Sequence, residues 1–170
     1  LHKEILTSNT YRMGSAFNPA AAVADPGNTL RWRWSRKRLE AESIRDSLLD
    51  LGGRFDRKMG GQLLAAGARA YVTGTASKQN TYDAPRRSVY LPVLRSAVYD
   101  VLQSFDFPDP SVVNGDRSTT TIPSQALVMM NSALMDQAAQ GLAGRLLSSG
   151  TADNLALVRQ AFLQVLGRPA

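Results

Sequence analysis

Three groups of residues in the chain have types and spacings that could do chemistry. The first is the run Arg31-Trp32-Arg33-Trp34. Interleaved guanidinium and indole groups can stack on sugars or bases and grip sulfate or phosphate. In the plainer alternative both tryptophans anchor a loop to the core and arginine stems cover them. Trp32 and Trp34 are therefore the candidate stacking residues. The second group is Asp106, Asp109 and Asp116. Calcium favours such oxygens, but the spacing matches no calcium loop. Two carboxylates could instead serve glycoside hydrolysis as acid and nucleophile or base, or simply shape turns beside Pro108 and Pro110. The third is Arg117 with the hydroxyl run Ser118 to Thr121, ahead of a helix that opens at Pro123. A helix N-terminus next to an arginine offers an anion site; the simpler role is capping.

The elements that must position these groups follow from periodicity. Leu1 to Thr7 reads as the end of a helix. Residues 18–34 read as loop, with turns at Asn18-Pro19 and Asp25-Pro26-Gly27-Asn28. A helix then runs from an N-cap at Ser35 to Gly52-Gly53. Ala41, Ile44, Leu48 and Leu51 form its apolar stripe, and Arg38–Glu42 and Glu42–Arg45 form pairs on its surface. Glu40 falls at the edge of the stripe, so its carboxylate needs an arginine from elsewhere. Residues 54–86 read as a long loop with a strand fragment at 69–75 and expected disorder near 77–81. Val89, Leu91 and Val93 alternate with Ser88, Tyr90 and Pro92 and predict a strand over 87–93 that either lies at a sheet edge or ends at Pro92, which cannot donate to a ladder. The two strands would pair as a small ribbon. A short helix follows, with Val98, Leu102 and Phe105 on one side, stopped by the prolines of "DFPDP". Two helices split near Asn131-Ser132. The last helix, 152–166, shows Leu155, Val158, Ala161, Phe162, Val165 and Leu166 on one face and ends at Gly167. The fold class expected is mainly α: an irregular helical domain with a small two-stranded β element, formed by residues 1–170 as one domain of a longer multidomain chain.

Composition narrows the chemistry. The chain has 170 residues, no cysteine and one histidine, His2. Disulfides, thiolate metal sites, thiol catalysis and His-based triads cannot be built from these residues alone. No metal site and no catalytic residue is assigned. The glycines form neither a P-loop nor a dinucleotide fingerprint. No window approaches the roughly 20 apolar residues of a membrane span. Net charge is +6, from 16 Arg and 4 Lys against 14 acids. Arginine's planar fork suits carboxylate, phosphate or sulfate, so the excess points to a polyanion or to internal ion pairs with the many nearby acids. Arg87, Arg95, Asp106, Asp109 and Arg117, with Glu40 as a partner, are expected to form a polar network that binds a ligand or pins the fold.

Several phrases in order carry a family resemblance: "TYR" at 10–12, "NTLRWRWSRKRLEAESIRDSLL" at 28–49, "GGRFDRKMGG" at 52–61, "RRSVYLPVLR" at 86–95, "FDFPDPS" at 105–111, "RSTTTIPSQALVMMNS" at 117–132 and "AFLQVLGRP" at 161–169. They resemble the planctomycete PSD-type domain of unknown function. Two departures stand out. Met13-Gly14-Ser15 replaces a frequent Gln-Ser-Ser, and Ala133 stands where proline commonly follows Asn-Ser, which would let the flanking helices join. The resemblance implies an exported, extracytoplasmic protein of the periplasm or envelope. It also implies neighbouring domains in the same chain, often a cytochrome-c-like one, so that haem is a cofactor upstream and none is bound here. It carries over no catalytic residue. The resulting expectation is a non-catalytic binding or assembly module, with anionic polysaccharide as the candidate ligand. The alternative is a carbohydrate-active hydrolase-like domain using paired carboxylates. Nucleic-acid binding rests on charge and "RWRW" alone and ranks last.

Overall fold

The computed structural model describes residues 1–61, 63, 83–93, 98–151 and 153–170. The chain divides into two compact units, Leu1–Arg38 and Leu39–Ala170. Among the described residues the architecture is helical: seven α-helices, one 3-10 turn, and a single isolated β-bridge between Asp56 and Arg86. The expected strand at 69–75 and the expected disorder at 77–81 lie outside the described residues.

The first unit holds α1 (His2–Thr7) and α2 (Pro19–Ala24). The α2 segment corrects the loop expected there. Asn18 and Pro19 signal a helix start as readily as a turn, because an Asn side chain caps and a proline fits the first helical position. Asn18 Oδ1 accepts the Ala20 and Ala21 amides at 3.0 and 3.2 Å.

In the second unit α3 (Ala41–Leu51) is the central element. Around it lie the 3-10 turn Ser88–Tyr90, α4 (Asp100–Ser104) and α6 (Ala133–Leu147). The remaining helix of this group, α5 (Pro123–Asn131), packs on α4 and α6, and α7 (Asn154–Leu166) packs on α6. Ala41, Val101, Leu102 and Phe105 form the core, with Ile44, Val98, Tyr99, Phe107, Val128, Met129 and Leu134 packed against it. The expected start of α3 at Ser35 is corrected: Glu40 occupies the N-cap with extended dihedrals, and the helix begins one residue later. Arg38 therefore precedes the helix, and its expected surface pair with Glu42 is not a pair within it. Helix α3 ends at Gly52, and Gly53 takes the left-handed conformation at φ 70° that favours glycine. Arg145 of α6 donates to the freed carbonyls of Asp50 and Leu51 at that end. Gly141 lets α6 lie directly on the end of α3: a Cβ built there would sit 2.2 Å from the Gly52 carbonyl oxygen.

The strand expected over 87–93 is a correction of kind. Its alternating valines and leucine suit period two, but its hydrogen-bonding groups are used locally. The Ser88 amide and hydroxyl donate to Asp46 Oδ1 at 2.8 and 2.6 Å. The Tyr90 and Leu91 amides close onto Arg87 and Ser88 carbonyls at 2.9 and 3.0 Å. With these three amides taken, the segment closes as a 3-10 turn and not as an extended strand. The helices flanking Ser132 stay separate despite Ala133. Ser132 is extended (ψ 140°) and its Oγ accepts the Met135 amide, so it caps α6 in place of a proline break. Helix α7 ends at Gly167 as expected (φ 63°), yet none of its residues is buried, so the expected core face of 152–166 is only half covered.

Candidate functional site

The charge is distributed unevenly between the units. Residues 1–38 contain seven Lys and Arg (Lys3, Arg12, Arg31, Arg33, Arg36, Lys37, Arg38) against Glu4 and Asp25, a net +5 of the chain's +6. That unit has its own organising carboxylate. Asp25 is buried. It accepts the Thr29 amide and hydroxyl at 3.0 and 2.9 Å and the Leu30 amide at 2.8 Å. Its backbone carbonyl takes the Trp32 indole N–H at 2.9 Å. Asn28, left-handed at φ 54°, accepts the Arg33 amide and donates to the Arg33 carbonyl and the Ser35 hydroxyl. The Trp34 amide donates to the Gly14 carbonyl at 2.9 Å and ties the 8–14 turn to this loop.

These bonds separate the two tryptophans. Trp32 is the anchor: its ring meets Phe17 edge-on at 5.9 Å, and the Arg33 guanidinium lies over it at 4.8 Å. Trp34 stays 48% exposed. It forms part of the wall of a cavity of about 370 Å³, with Thr10, Met13, Asn28, Thr29, Ser35, Arg31, Arg33 and Lys37. No carboxylate lines this cavity among the described residues. Arg31 holds its position there with φ 54°, a conformation that costs a non-glycine residue about 1 kcal/mol or more. Cations, hydroxyls and an exposed indole thus face one space.

The Leu30 amide is the largest influence holding the Asp25 carboxyl below the ordinary aspartate range; burial opposes it, and Thr29 adds to it. A folded-state pKa below the unfolded value gives stability that is complete above the unfolded value and is lost as pH falls through the folded one. Both tryptophans of the chain are in this unit, so their fluorescence reports it alone. We expect an acid transition in that fluorescence below about pH 4, and its loss in Asp25→Asn. An unchanged acid transition in that variant would remove Asp25 from the role.

The second unit brings together part of the expected polar network. Arg117 Nη1 bridges Glu40 Oε2 and Glu42 Oε2 at 3.1 and 2.9 Å, with the guanidinium over Phe107 at 5.8 Å. The hydrogen bond to Glu42 is the main cause that holds the Arg117 pKa above its ordinary value; burial opposes it, and the charges of Glu42 and Glu40 add to it. Glu40, exposed at the N-cap of α3, thus pairs with an arginine 77 residues away. The same arrangement turns Arg117 toward carboxylates, away from any anion at the start of α5, whose Ile122 amide is covered by Gln125 Oε1 at 3.4 Å. Arg87 is exposed and has no ion pair among the described residues. Arg95 lies outside the described residues. Asp106, left-handed at φ 59°, accepts the Thr120 amide at 2.7 Å and its hydroxyl at 2.8 Å. Asp109 accepts the Ser111 hydroxyl at 2.5 Å and amide at 2.8 Å, and these bonds, the hydroxyl first, hold it below the ordinary range. Asp106 and Asp109 are thus turn-forming groups, and neither lines the cavity around Trp34 or the one beside α3. Among the described residues no set of three acidic or metal-binding side chains is placed to hold a metal ion.

The cavity beside α3 measures about 420 Å³. Glu40, Glu42, Asp46 and Arg87 give it charge; Val89, Leu91, Val93, Leu102 and Phe107 give it an apolar wall. Sequence reasoning misses Asp46 and Arg45. Arg45 is only 1% exposed. Its Nη1 donates to the Arg86 carbonyl at 2.8 Å and to Ser88 Oγ at 3.3 Å, and its Nη2 donates to the Ala84 carbonyl at 2.6 Å. It thereby fixes the segment that forms one side of this cavity. The signal for it is its place one turn after Ala41 and one turn before Leu49, on the buried face.

A family model described as PSD1, protein of unknown function (DUF1553), matches residues 1–170. No curated protein and no solved structure matches the chain.

Proposed function

We propose that this chain, which belongs to the PSD1 family of proteins of unknown function, is a non-catalytic binding module for an anionic polysaccharide. The observation that carries the reading is the cavity of the first unit, where Arg31, Arg33 and Lys37 surround an exposed Trp34 with no carboxylate on the wall among the described residues. Indole faces take up the apolar face of a sugar ring, and guanidinium groups bind sulfate or carboxylate by charge-assisted hydrogen bonds. Thr10, Thr29 and Ser35 add hydroxyl partners suited to a sugar. The hydrolase alternative finds less support, because Asp106 and Asp109 are both engaged by neighbouring hydroxyls and amides. In the same reading the module works outside the cytoplasm beside other domains of its chain, including a haem-bearing one. Those points rest on the family resemblance. No helix among the described residues is long and apolar enough to cross a membrane.

The test is retention of the chain on a sulfated dextran column against a neutral dextran one across a salt gradient. We expect salt-sensitive retention on the sulfated matrix only, since exposed charges are screened beyond a Debye length of about 8–10 Å. Arg31→Ala combined with Lys37→Ala should weaken binding at least tenfold, the rough value of one lost charge-assisted bond. Arg159→Ala, an exposed arginine of the second unit, should change little. Equal retention of all variants would sink the assignment. Displacement by single-stranded DNA at lower concentration than by sulfated dextran would favour the nucleic-acid reading instead.

A further inference from the structure

The cavity beside α3 has a composition unlike that of the first unit, and it calls for a different ligand. Glu40 and Glu42 each give one oxygen, Oε2, to Arg117. Asp46 gives Oδ1 to Ser88. The second oxygen of each carboxylate is reached by no protein donor among the described residues. Arg87, at the start of the 3-10 turn, lines the same cavity and is a cation without an ion pair among the described residues. The same cavity has an apolar lining of which two members are open: Val89 is 78% and Val93 48% exposed. Apolar side chains with a few polar groups converging on one space are the composition of a small-ligand cavity. At about 420 Å³ the space is near the small end of ligand pockets.

We infer that this cavity binds a small zwitterion with an apolar side chain: an α-amino acid or dipeptide of the phenylalanine or leucine type. Its ammonium would meet the free oxygens of Glu40, Glu42 and Asp46. The ligand carboxylate would pair with Arg87, which offers a planar fork for it. Val89, Val93 and Phe107 would cover its side chain. A simple cation fits less well, because Arg117 already neutralises much of the acidic wall and Arg87 repels a positive ligand. A simple anion faces three carboxylates. Only a ligand carrying both charges and an apolar body satisfies every wall. The inference is independent of the polysaccharide reading, which concerns the other unit.

The experiment is calorimetric titration of the 170-residue chain with L-phenylalanine, L-phenylalaninamide, N-acetyl-L-phenylalanine and the dipeptide Phe-Phe at low ionic strength. We expect phenylalanine or the dipeptide to bind. The amide, which lacks the carboxylate, and the N-acetyl compound, which lacks the ammonium, should each bind at least tenfold more weakly. Arg87→Ala should weaken the zwitterion at least tenfold and should not weaken the amide, whose single positive charge Arg87 repels. Because Arg87 is exposed, the variant should melt with the parent, which separates lost binding from lost folding. Preference for the dipeptide over phenylalanine would identify the ligand as peptide-derived, and the reverse order as a free amino acid. No heat with either zwitterion, or an affinity that Arg87→Ala leaves unchanged, would overturn the inference.

Discussion

Arg45→Ala will destabilise the second unit by about 3–5 kcal/mol, the usual range when one member of a buried charged network is removed. The guanidinium is almost fully enclosed. It is stabilised there by the carbonyls of Ala84 and Arg86, the Ser88 hydroxyl and the Asp46 carboxylate at 3.7 Å. Burial pushes its pKa down, and Tyr99 and Asp46 oppose that shift. Alanine would leave two carbonyls without donors and a carboxylate without its cation, inside a packed helix face. Arg45→Lys should recover part of the loss. It keeps the charge, but a single ammonium cannot reproduce the planar fork that reaches both carbonyls at once. Urea unfolding followed by far-ultraviolet circular dichroism measures both variants, since tryptophan fluorescence reports only the first unit. If Arg45→Ala unfolds within about 1 kcal/mol of the parent, well under that range, Arg45 is not the tie between α3 and the 84–88 segment. Because that segment forms one wall of the cavity beside α3, the same variant should also abolish zwitterion binding there.

Gly141→Ala is the second large effect, and its interest lies in its sign. In an exposed helix interior, alanine in place of glycine gains about 1 kcal/mol. Here the new Cβ would stand 2.2 Å from the Gly52 carbonyl oxygen, 2.8 Å from its carbonyl carbon and 2.9 Å from its Cα. All three are backbone atoms, so no side chain can swing away. The end of α3 would have to move from α6, and that displaces the Arg145 guanidinium from the Asp50 and Leu51 carbonyls. Overpacking of this kind costs about 1–3 kcal/mol or more, which outweighs the gain in helix propensity. Gly144→Ala is the matched control. It lies on the same helix, and a Cβ there meets nothing within 4 Å. Thermal melts should therefore move in opposite directions, down for Gly141→Ala and up by several degrees at most for Gly144→Ala. Two shifts of the same sign would mean that α3 and α6 do not pack this closely.

Local chemistry is legible in the amino-acid order. Pro123, Ser132 and Gly167 mark helix ends because a cap or a left-handed glycine acts within one turn of its own position. Glu40 has Arg117 as a partner but not on a buried stripe, because it stands exposed at the N-cap of α3 and not within the helix. The strand expected over 87–93 fails for a definite reason. Alternation of apolar residues describes which side chains face one way, not where the amides find partners. Asp46, 42 residues away, claims Ser88 and holds the segment in a turn.

The candidate sites are legible as composition and not as geometry. "RWRW" marks its tryptophans as stacking candidates, but only the bond from Trp32 to the Asp25 carbonyl and the contacts with Phe17 and Arg33 make one an anchor and leave Trp34 open. Asp106 and Asp109 have the look of paired carboxylates, yet the hydroxyls of Thr120 and Ser111 engage them. Arg45 has the spacing of a surface partner for Glu42, yet the fold turns it inward. By itself the sequence determined a cysteine-free, arginine-rich helical chain of the PSD1 type and most places where its helices stop, because these depend on composition and on neighbours within a turn. The tertiary structure decided which charges are buried, which are paired and which are left facing a cavity. Those outcomes depend on segments tens of residues apart coming close enough to exclude water, and desolvation then selects the partners.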